Sequence, residues 1–347
     1  MVQGKVYGAD FRIQKPLCAG GMGKVFVAEQ LSTGKRRALK LMAPELVTDP
    51  RMRDHFALEA HAAAMVESEH VVEVVASGVD AGQPWLAMEL LDGEDLAARV
   101  AGRGGLPVTE VAAIVAQLCH GLGAAHDRGL VHRDLKPENV FVARSRREGA
   151  PFTVKLLDFG IAKVAASKTV TGSIGTPLWM APEQATGEKA TPAADVWALG
   201  LLVYFALTGR SYWNGANENA SISTLLVEIM VGPLVPATVR AAEQGRAGAL
   251  PPGFDGWFAA CVAREPERRF RDAHVAAAAF ADLLARGTLR GFRPPKRPTL
   301  RHRGLSARFL VVASVLFLGS LLFAGGFVGS ALLSSVTEPG YLGQSGR

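Results

Sequence analysis

Hydrophobic and polar positions divide the chain into a first part with strand-like patterns and a second part with helical patterns. Between residues 7 and 90, short β-rich runs such as residues 24–29 and 37–41 are separated by glycine turns. Alternation of this kind predicts strands. One longer stretch, residues 51–68, has the spacing of a helix. The first part is therefore predicted to be a small sheet with one helix.

After residue 107, the apolar positions recur at intervals of three and four residues. They predict a long helix over residues 108–129 that ends at Gly129, and helical patterns predominate from there to about residue 287. An apolar helical patch at 222–230 lies within residues 211–253, for which substrate docking and plain packing are both open interpretations. The predicted class is α+β, with a β-rich first lobe and a larger, mainly helical second lobe.

Residues 309–337 form an apolar stretch of a different kind, because no charged residue occurs over 29 positions. At about 1.5 Å per residue, a helix of this length crosses a hydrocarbon core of about 30 Å. The alternative, a buried helix of a soluble domain, is disfavoured by the length. We expect one transmembrane helix at residues 309–336 and a short extracytoplasmic tail at 337–347.

Positive charge is concentrated just before that stretch. The net charge is +6, and residues 288–308 carry seven cations and no acid: Arg290, Arg293, Lys296, Arg297, Arg301, Arg303 and Arg308. Without these seven, and with Glu338 and Arg347 cancelling, residues 1–287 carry −1. A nucleic-acid partner is not expected. The basic linker instead predicts a single-pass protein of the cell inner membrane, in contact with the lipid bilayer and with its globular part in the cytoplasm.

The three cysteines, Cys18, Cys119 and Cys261, lie far apart without metal-ligand spacing. This pattern indicates a reducing compartment and gives no sign of a zinc site. The N-terminus lacks a charged region followed by an apolar run, so no signal peptide is predicted.

Candidate chemistry lies in residues 131–142. His132, Arg133 and Asp134, followed by Lys136 and Asn139, place an acid, cations and a carboxamide on one short loop ahead of an apolar strand. A chance triplet on a turn is the alternative, but the spacing is that of the protein-kinase catalytic loop. Further motifs follow in the family's order. The chain therefore resembles protein kinases over residues 7 to about 287, with lobes at 1–91 and 92–287.

The resemblance implies roles for the catalytic residues. Asp134 would accept the proton of the substrate hydroxyl, and Lys136, typical of serine/threonine kinases, would steady the transferring phosphate. Asn139 and Asp158, the latter in the motif Asp-Phe-Gly, would hold Mg²⁺, with Mn²⁺ as an alternative. Thr176 would hydrogen-bond Asp134 and Lys136 and shape the acceptor site.

The resemblance also implies an ATP site. A glycine-rich turn would cover the phosphates, Lys40 would contact them with Glu59 as its partner, and backbone groups of Glu89 and Leu91 would bind adenine behind Met88. Cys18 stands where the family has its first glycine. The residues expected at this site are Leu17, Gly20, Gly21, Gly23, Val25, Ala38, Lys40, Glu59, Glu89 and Leu91.

Residues 158–183 match the span of a kinase activation segment. Its Thr169, Thr171 and Ser173 are candidate phosphorylation sites, and Arg133 is the cation that a phosphate there would meet. The resemblance gives structural roles to three further residues. Asp195 would anchor the catalytic loop from a central helix, and Arg269 would pair with Glu183.

The sequence is thus similar to bacterial, membrane-anchored, eukaryotic-like (Hanks-type) serine/threonine protein kinases. We expect an ATP-dependent kinase that acts on protein substrates and autophosphorylates its activation loop. The alternative is a membrane-tethered pseudokinase scaffold, motivated by Cys18. A transporter or receptor subunit is disfavoured by the single span. Gly325 and Gly329 lie four apart, on one helical face, so the membrane helix is either a homodimer contact or a simple anchor.

Overall fold

A computed structural model describes residues 3–20, 23–49, 52–54, 56–57, 64–145, 147–159, 177–218 and 220–286. The chain divides into two units, residues 1–294 and residues 295–347. All described residues belong to the first unit. The predicted membrane helix, basic linker and tail lie outside the described residues.

The first lobe is built on one antiparallel sheet of six strands, as the alternating pattern predicts. The strands and the short helix α1 are β1 (Val6–Tyr7), β2 (Phe11–Gly20), β3 (Gly23–Gln30), β4 (Lys35–Met42), α1 (Pro44–Val47), β5 (Val74–Asp80) and β6 (Gln83–Glu89). Their order in the sheet is β1-β2-β3-β4-β6-β5. Helical backbone at residues 52–54, 56–57 and 64–65 lies between β4 and β5, within the stretch predicted as a helix.

Both faces of this sheet bury apolar side chains. On β4, Leu39 belongs to a cluster with Trp85, whereas Ala38 and Met42 belong to another cluster with Met88. Since side chains alternate along a strand, Lys40 shares the face of Ala38 and Met42. Its side chain is buried in the domain. The strand pattern therefore places Lys40 in the interior, on the face of the sheet that carries Met88.

The second lobe contains a three-stranded sheet and most of the described helices. The elements are β7 (Gly93–Asp95), α2 (Leu96–Ala101), α3 (Val108–Asp127), β8 (Val140–Ala143), β9 (Thr153–Leu156), α4 (Pro182–Ala185), α5 (Pro192–Thr208), α6 (Asn214–Asn217), α7 (Ile222–Val231), α8 (Ala237–Glu243), α9 (Phe254–Cys261) and α10 (Ala273–Arg286). The sheet has the strand order β7-β8-β9. The long helix α3 ends two residues before Gly129, whose left-handed φ of 72° fits a glycine after a helix C-terminus.

Helix α5 lies at the centre of this lobe and is buried on nearly every side. An all-round apolar helix of this kind is typical of a core position. Within the described residues, α3 has the length and composition of a membrane span, and half of its most apolar window is buried inside the domain. Packing in the core accounts for its composition.

Residues 211–253, to which the sequence assigned no role, contribute to the core of this lobe. Tyr212 and Trp213 are almost fully buried, and the Tyr212 hydroxyl donates to the carbonyl of Val235 at 2.6 Å. Packing is thus a demonstrated role of the segment. Several apolar side chains of α7, including Ile222 and Val231, are exposed.

A buried ion pair joins the short helix α4 to the loop before α10, as predicted. Both terminal nitrogens of Arg269 donate to the Glu183 carboxylate at 2.7 Å. The guanidinium also donates to three backbone carbonyls, those of Ala193, Ala263 and Arg264. A planar group with five N–H donors satisfies all five of these acceptors, which an ammonium group cannot do.

Arg269→Lys should lower the free energy of unfolding by at least about 2 kcal/mol, because buried acceptors lose their donors. Urea unfolding of the domain measures this loss. Arg268→Lys is the matched control, since the Arg268 side chain is 71% exposed. Equal stability of the two variants would contradict the assigned role of the pair.

Candidate active site

Asp195 anchors the catalytic loop. It lies near the start of α5 and is 1% exposed. Its Oδ2 accepts the backbone N–H of His132 at 2.8 Å, and its Oδ1 accepts that of Arg133 at 2.9 Å. Nε2 of His126, on α3, donates to Oδ2 at 2.9 Å. Asp195 therefore joins the central helix, α3 and the catalytic loop, which confirms the anchor predicted from the sequence.

These hydrogen bonds hold an unusual backbone. Arg133 has a left-handed φ of 65°, which is uncommon for a residue with a side chain. Burial alone would raise the pKa of Asp195, but the hydrogen bond and charge of His126, with contributions from His132, hold that pKa below its ordinary 3.8. A lowered folded-state pKa adds stability above the unfolded value, about pH 4, and this stability is lost as pH falls through the folded value.

His132 connects the loop to the strand that precedes Asp158. Its Nε2 donates to the carbonyl of Leu157 at 2.8 Å, and its Nδ1 accepts the N–H of Asp134 at 3.3 Å. A carbonyl can only accept, so these partners define the tautomer with the proton on Nε2. The ring packs on buried Phe159 with 4.9 Å between ring centroids. The loop and residues 157–159 are thus fixed to each other.

Asp134, Lys136 and Asn139 converge at the end of the loop. The Lys136 Nζ lies 3.3 Å from Asp134 Oδ2. The Asn139 Nδ2 donates to the Asp134 carbonyl at 2.8 Å and to its Oδ2 at 3.2 Å. This arrangement places a carboxylate beside an ammonium group, with a carboxamide that restrains the carboxylate. It can accept a proton from a hydroxyl and stabilise negative charge on an adjacent phosphate.

Lys40 reaches this region from the first lobe. Its Nζ lies 2.9 Å from Oδ1 of Asp158, and the lysine side chain is 6% exposed. Burial alone would raise the pKa of Asp158, but the charge and hydrogen bond of Lys40 hold it below its ordinary value. Asp158, with a left-handed φ of 41°, is therefore an ionised carboxylate at neutral pH. The predicted partner Glu59 lies outside the described residues.

The oxygen donors here fit a hard divalent cation. Asp158 supplies a carboxylate, and the two hydrogen bonds of the Asn139 amide group leave its Oδ1 as the atom able to coordinate a metal. No group of three or more His, Cys, Asp or Glu side chains arranged for a metal occurs among the described residues. A site with few protein ligands suits Mg²⁺, which keeps waters and binds substrate phosphates.

The predicted nucleotide residues occupy three adjacent strands. In the strand register, Val25 lies opposite both Cys18 and Lys40. A Cβ at Gly23 would overlap the Leu41 carbonyl oxygen, so sheet packing requires that glycine, whereas Gly20 faces open space. Burial raises the pKa of the Cys18 thiol, and the charge of Asp158 raises it further. The Cys18 residue itself is exposed. Leu17 is exposed on β2, and Gly21 lies outside the described residues.

The predicted hinge carries a contact that sequence reasoning missed. The Glu89 carboxylate accepts from Nζ of Lys155 at 2.5 Å and from the N–H of Glu73 at 3.0 Å. The N–H of Glu89 donates to the Glu73 carbonyl, so a nucleotide contact at Glu89 is restricted to its carbonyl oxygen. Leu91 follows β6 and is partly buried. A lone cation within the apolar β9 was the available signal for Lys155.

A cavity of about 310 Å³ opens beside Asp134 and Lys136. One part of its wall is formed by the consecutive residues Leu178, Trp179 and Met180, and Gln184 and Glu138 also line it. A peptide side chain that presents a hydroxyl to Asp134 would enter here. The predicted residues Gly160, Thr169, Thr171, Ser173 and Thr176 lie outside the described residues.

The motifs, two-lobed architecture and converging side chains agree with comparison to known proteins. The protein kinase domain family matches residues 11–279. The chain belongs to the protein kinase family. The chain is 36% identical over 315 residues to the serine/threonine-protein kinase Pkn1 of Myxococcus xanthus, and this match covers 86% of this chain and 43% of Pkn1.

Other relatives are also bacterial. The serine/threonine-protein kinase PknL of Mycobacterium tuberculosis is 32% identical over 297 residues, 84% of this chain and 70% of PknL. The chain spans less than half of Pkn1 and 26% of pkn2, also from Myxococcus xanthus. The crystal structure of the M. tuberculosis PknI kinase domain matches with a TM-score of 0.64 and 28% identity, over 82% of this chain and 99% of that one.

Asp195→Asn should lower the free energy of unfolding by about 3 kcal/mol, because the amide replaces one acceptor oxygen by an NH2 group that faces at least one of the three buried donors, and because it removes the negative charge they share. Urea unfolding measures this change. Asp255→Asn is the control: Asp255 also accepts two hydrogen bonds, both from Thr238, but at the surface, and should change by less than about 1 kcal/mol. A stable Asp195→Asn variant would contradict the anchor role.

Proposed function

We propose that this kinase domain is an ATP-dependent serine/threonine protein kinase. The proposal rests on one observation: two groups of side chains lie next to each other. Asp134, Lys136 and Asn139 converge on one loop, and the Lys40–Asp158 pair joins the two lobes beside them. The relatives' names, which specify serine/threonine-protein kinases, support the choice of acceptor.

In the proposed reaction, a Ser or Thr hydroxyl attacks the γ-phosphorus of ATP. The new O–P bond forms as the bond to ADP breaks, and ADP leaves with the electron pair. Asp134 accepts the hydroxyl proton, and Lys136, 3.3 Å from Asp134, stabilises charge on the transferring phosphate. The protein contributes mainly positioning and electrostatic stabilisation.

Lys40 would hold the α- and β-phosphates, and its contact with Asp158 keeps its ammonium group directed at the cleft. Asp158 and Asn139 would hold Mg²⁺, or Mn²⁺ in its place. When bound, the cation neutralises phosphate charge. Adenine would lie against Val25, Ala38 and the hinge, with Leu91 supplying backbone contacts.

The alternative is a pseudokinase scaffold, and Cys18 is its only motivation. A side chain at that position narrows the space over the nucleotide but removes none of the groups that act on phosphate. The ionised, lysine-paired Asp158 favours a catalyst.

Lys40→Met and Asp158→Asn should each lower phosphate transfer at least about hundredfold, because both remove charge from the phosphate site. Transfer of ³²P from ATP to a Ser/Thr peptide library, with Mg²⁺ present, measures it. Lys35→Met, an exposed position on the same strand, is the control and should retain wild-type transfer. Wild-type turnover by either site variant would show that the assignment is wrong.

We also propose that phosphorylation of the activation segment raises activity. The Nε of Arg133 is buried without a hydrogen-bond partner in the described part of the chain, and a guanidinium favours a phosphate. Thr171 is the first candidate, ahead of Thr169 and Ser173. We expect mass spectrometry of the active protein to find phosphate on this segment and Thr171→Ala to lower the rate. An unmodified segment, with Thr171→Ala at full rate, would exclude this regulation.

A third proposal concerns the membrane. Residues 309–336 would anchor the kinase domain on the cytoplasmic side of the inner membrane, and Gly325 and Gly329 would form a homodimer contact. The uncharged stretch and the seven cations before it support the anchor. The chain should stay in the membrane fraction after carbonate extraction, and its release would contradict the span.

Gly325→Ile and Gly329→Ile should reduce crosslinking between chains, and unchanged crosslinking would leave a simple anchor.

A further inference from the structure

Gln184 uses both ends of its side-chain amide to join two parts of the site. Its Oε1 accepts the N–H of Ala181 at 3.1 Å, at the start of α4. Its Nε2 donates to the carbonyl of Arg133 at 2.9 Å, in the catalytic loop. Because a backbone N–H only donates and a carbonyl only accepts, the two partners fix the amide orientation. The residue thus bridges α4 and the catalytic loop.

The carbonyl that Gln184 holds belongs to the strained residue of the loop. Arg133 has a φ of 65°, and its N–H donates to Asp195. Gln184 donates to the carbonyl of the same residue. Asp134 follows directly, so the direction of its backbone depends on these two contacts. A left-handed conformation at a residue with a side chain persists only when its surroundings enforce it.

Gln184 also lines the acceptor cavity, as Asp134 does. The cavity wall at Leu178–Met180 continues directly into α4, whose N-terminal end Gln184 caps. A side chain in this place can couple the position of residues 178–180 to that of the loop that carries Asp134, the proposed base.

We propose that Gln184 is a positioning residue that sets the orientation of Asp134 relative to the acceptor wall. The inference rests on the proposed kinase function and adds a residue to it. Losing the contact with Arg133 should slow phosphate transfer and leave ATP binding unchanged. The competing explanation is that Gln184 only caps α4, through the contact with Ala181.

Gln184→Glu separates these explanations, because it removes one contact and keeps the other. A carboxylate still accepts the N–H of Ala181 but cannot donate to the carbonyl of Arg133. Gln117→Glu is the matched control. Gln117 lies on α3, and its Oε1 accepts the N–H of Val154 at 2.8 Å, a contact that a carboxylate also keeps.

The experiment measures kcat, the KM for ATP, the KM for peptide, and Tm for the full chain and both variants. Gln184→Glu should lower kcat about tenfold, since a small misplacement of a catalytic group has effects of this order or larger. Its KM for ATP should stay within about twofold, and its Tm should match the control. A wild-type kcat in Gln184→Glu, or an equal loss in Gln117→Glu, would overturn the inference.

Hydrogen exchange provides a readout that needs no activity. Backbone amides of residues 133–136 should exchange faster in Gln184→Glu than in the wild type, with no change in Gln117→Glu. If the wild type transfers no phosphate, the proposed function fails, and exchange alone decides the positioning role. Unchanged exchange at residues 133–136 would overturn that role.

Discussion

The arrangement of this site depends on a single buried carboxylate. Asp195 accepts hydrogen bonds from two consecutive backbone amides of the catalytic loop and from His126. The Nδ1 of His126 accepts the N–H of Ala273 at the start of α10, so the network continues to the last described helix. Without this acceptor, the left-handed backbone at Arg133 would have no support from the core. The position of Asp134, the proposed base, therefore depends on the packing of α5.

A second set of contacts links the catalytic loop to the residues of the predicted nucleotide site. Leu157 donates its N–H to the Asn139 carbonyl and accepts from His132, which fixes the residue immediately before Asp158. Asp158 in turn contacts Lys40 from the first lobe. Lys155, three residues earlier on the chain, contacts the hinge at Glu89. The strand β9 and the two residues after it therefore connect the predicted hinge, the carboxylate proposed to bind the metal, and the catalytic loop.

Much of this could be predicted from the sequence, because periodicity and motif order report on local structure. The sheet, α3, and the pairing of Arg269 with Glu183 follow from residue patterns and from resemblance to kinases. Distant side-chain contacts outside the family's motifs did not follow, since they depend on how elements pack. In the sequence, Lys155 was recognisable only as a lone cation in an apolar strand. Gln184 was recognisable only as the residue that follows Glu183. The roles of Glu59 and Thr176 stay predictions.

The most direct test of the account is Asp134→Asn, which keeps the shape of the side chain and removes its ability to accept a proton at neutral pH. Single-turnover phosphate transfer and ATP binding should be measured on the same preparation. We expect an ATP dissociation constant within about twofold of wild type and transfer at least about hundredfold slower. Transfer at the wild-type rate would contradict the assignment of Asp134 as the base, and with it the proposed mechanism.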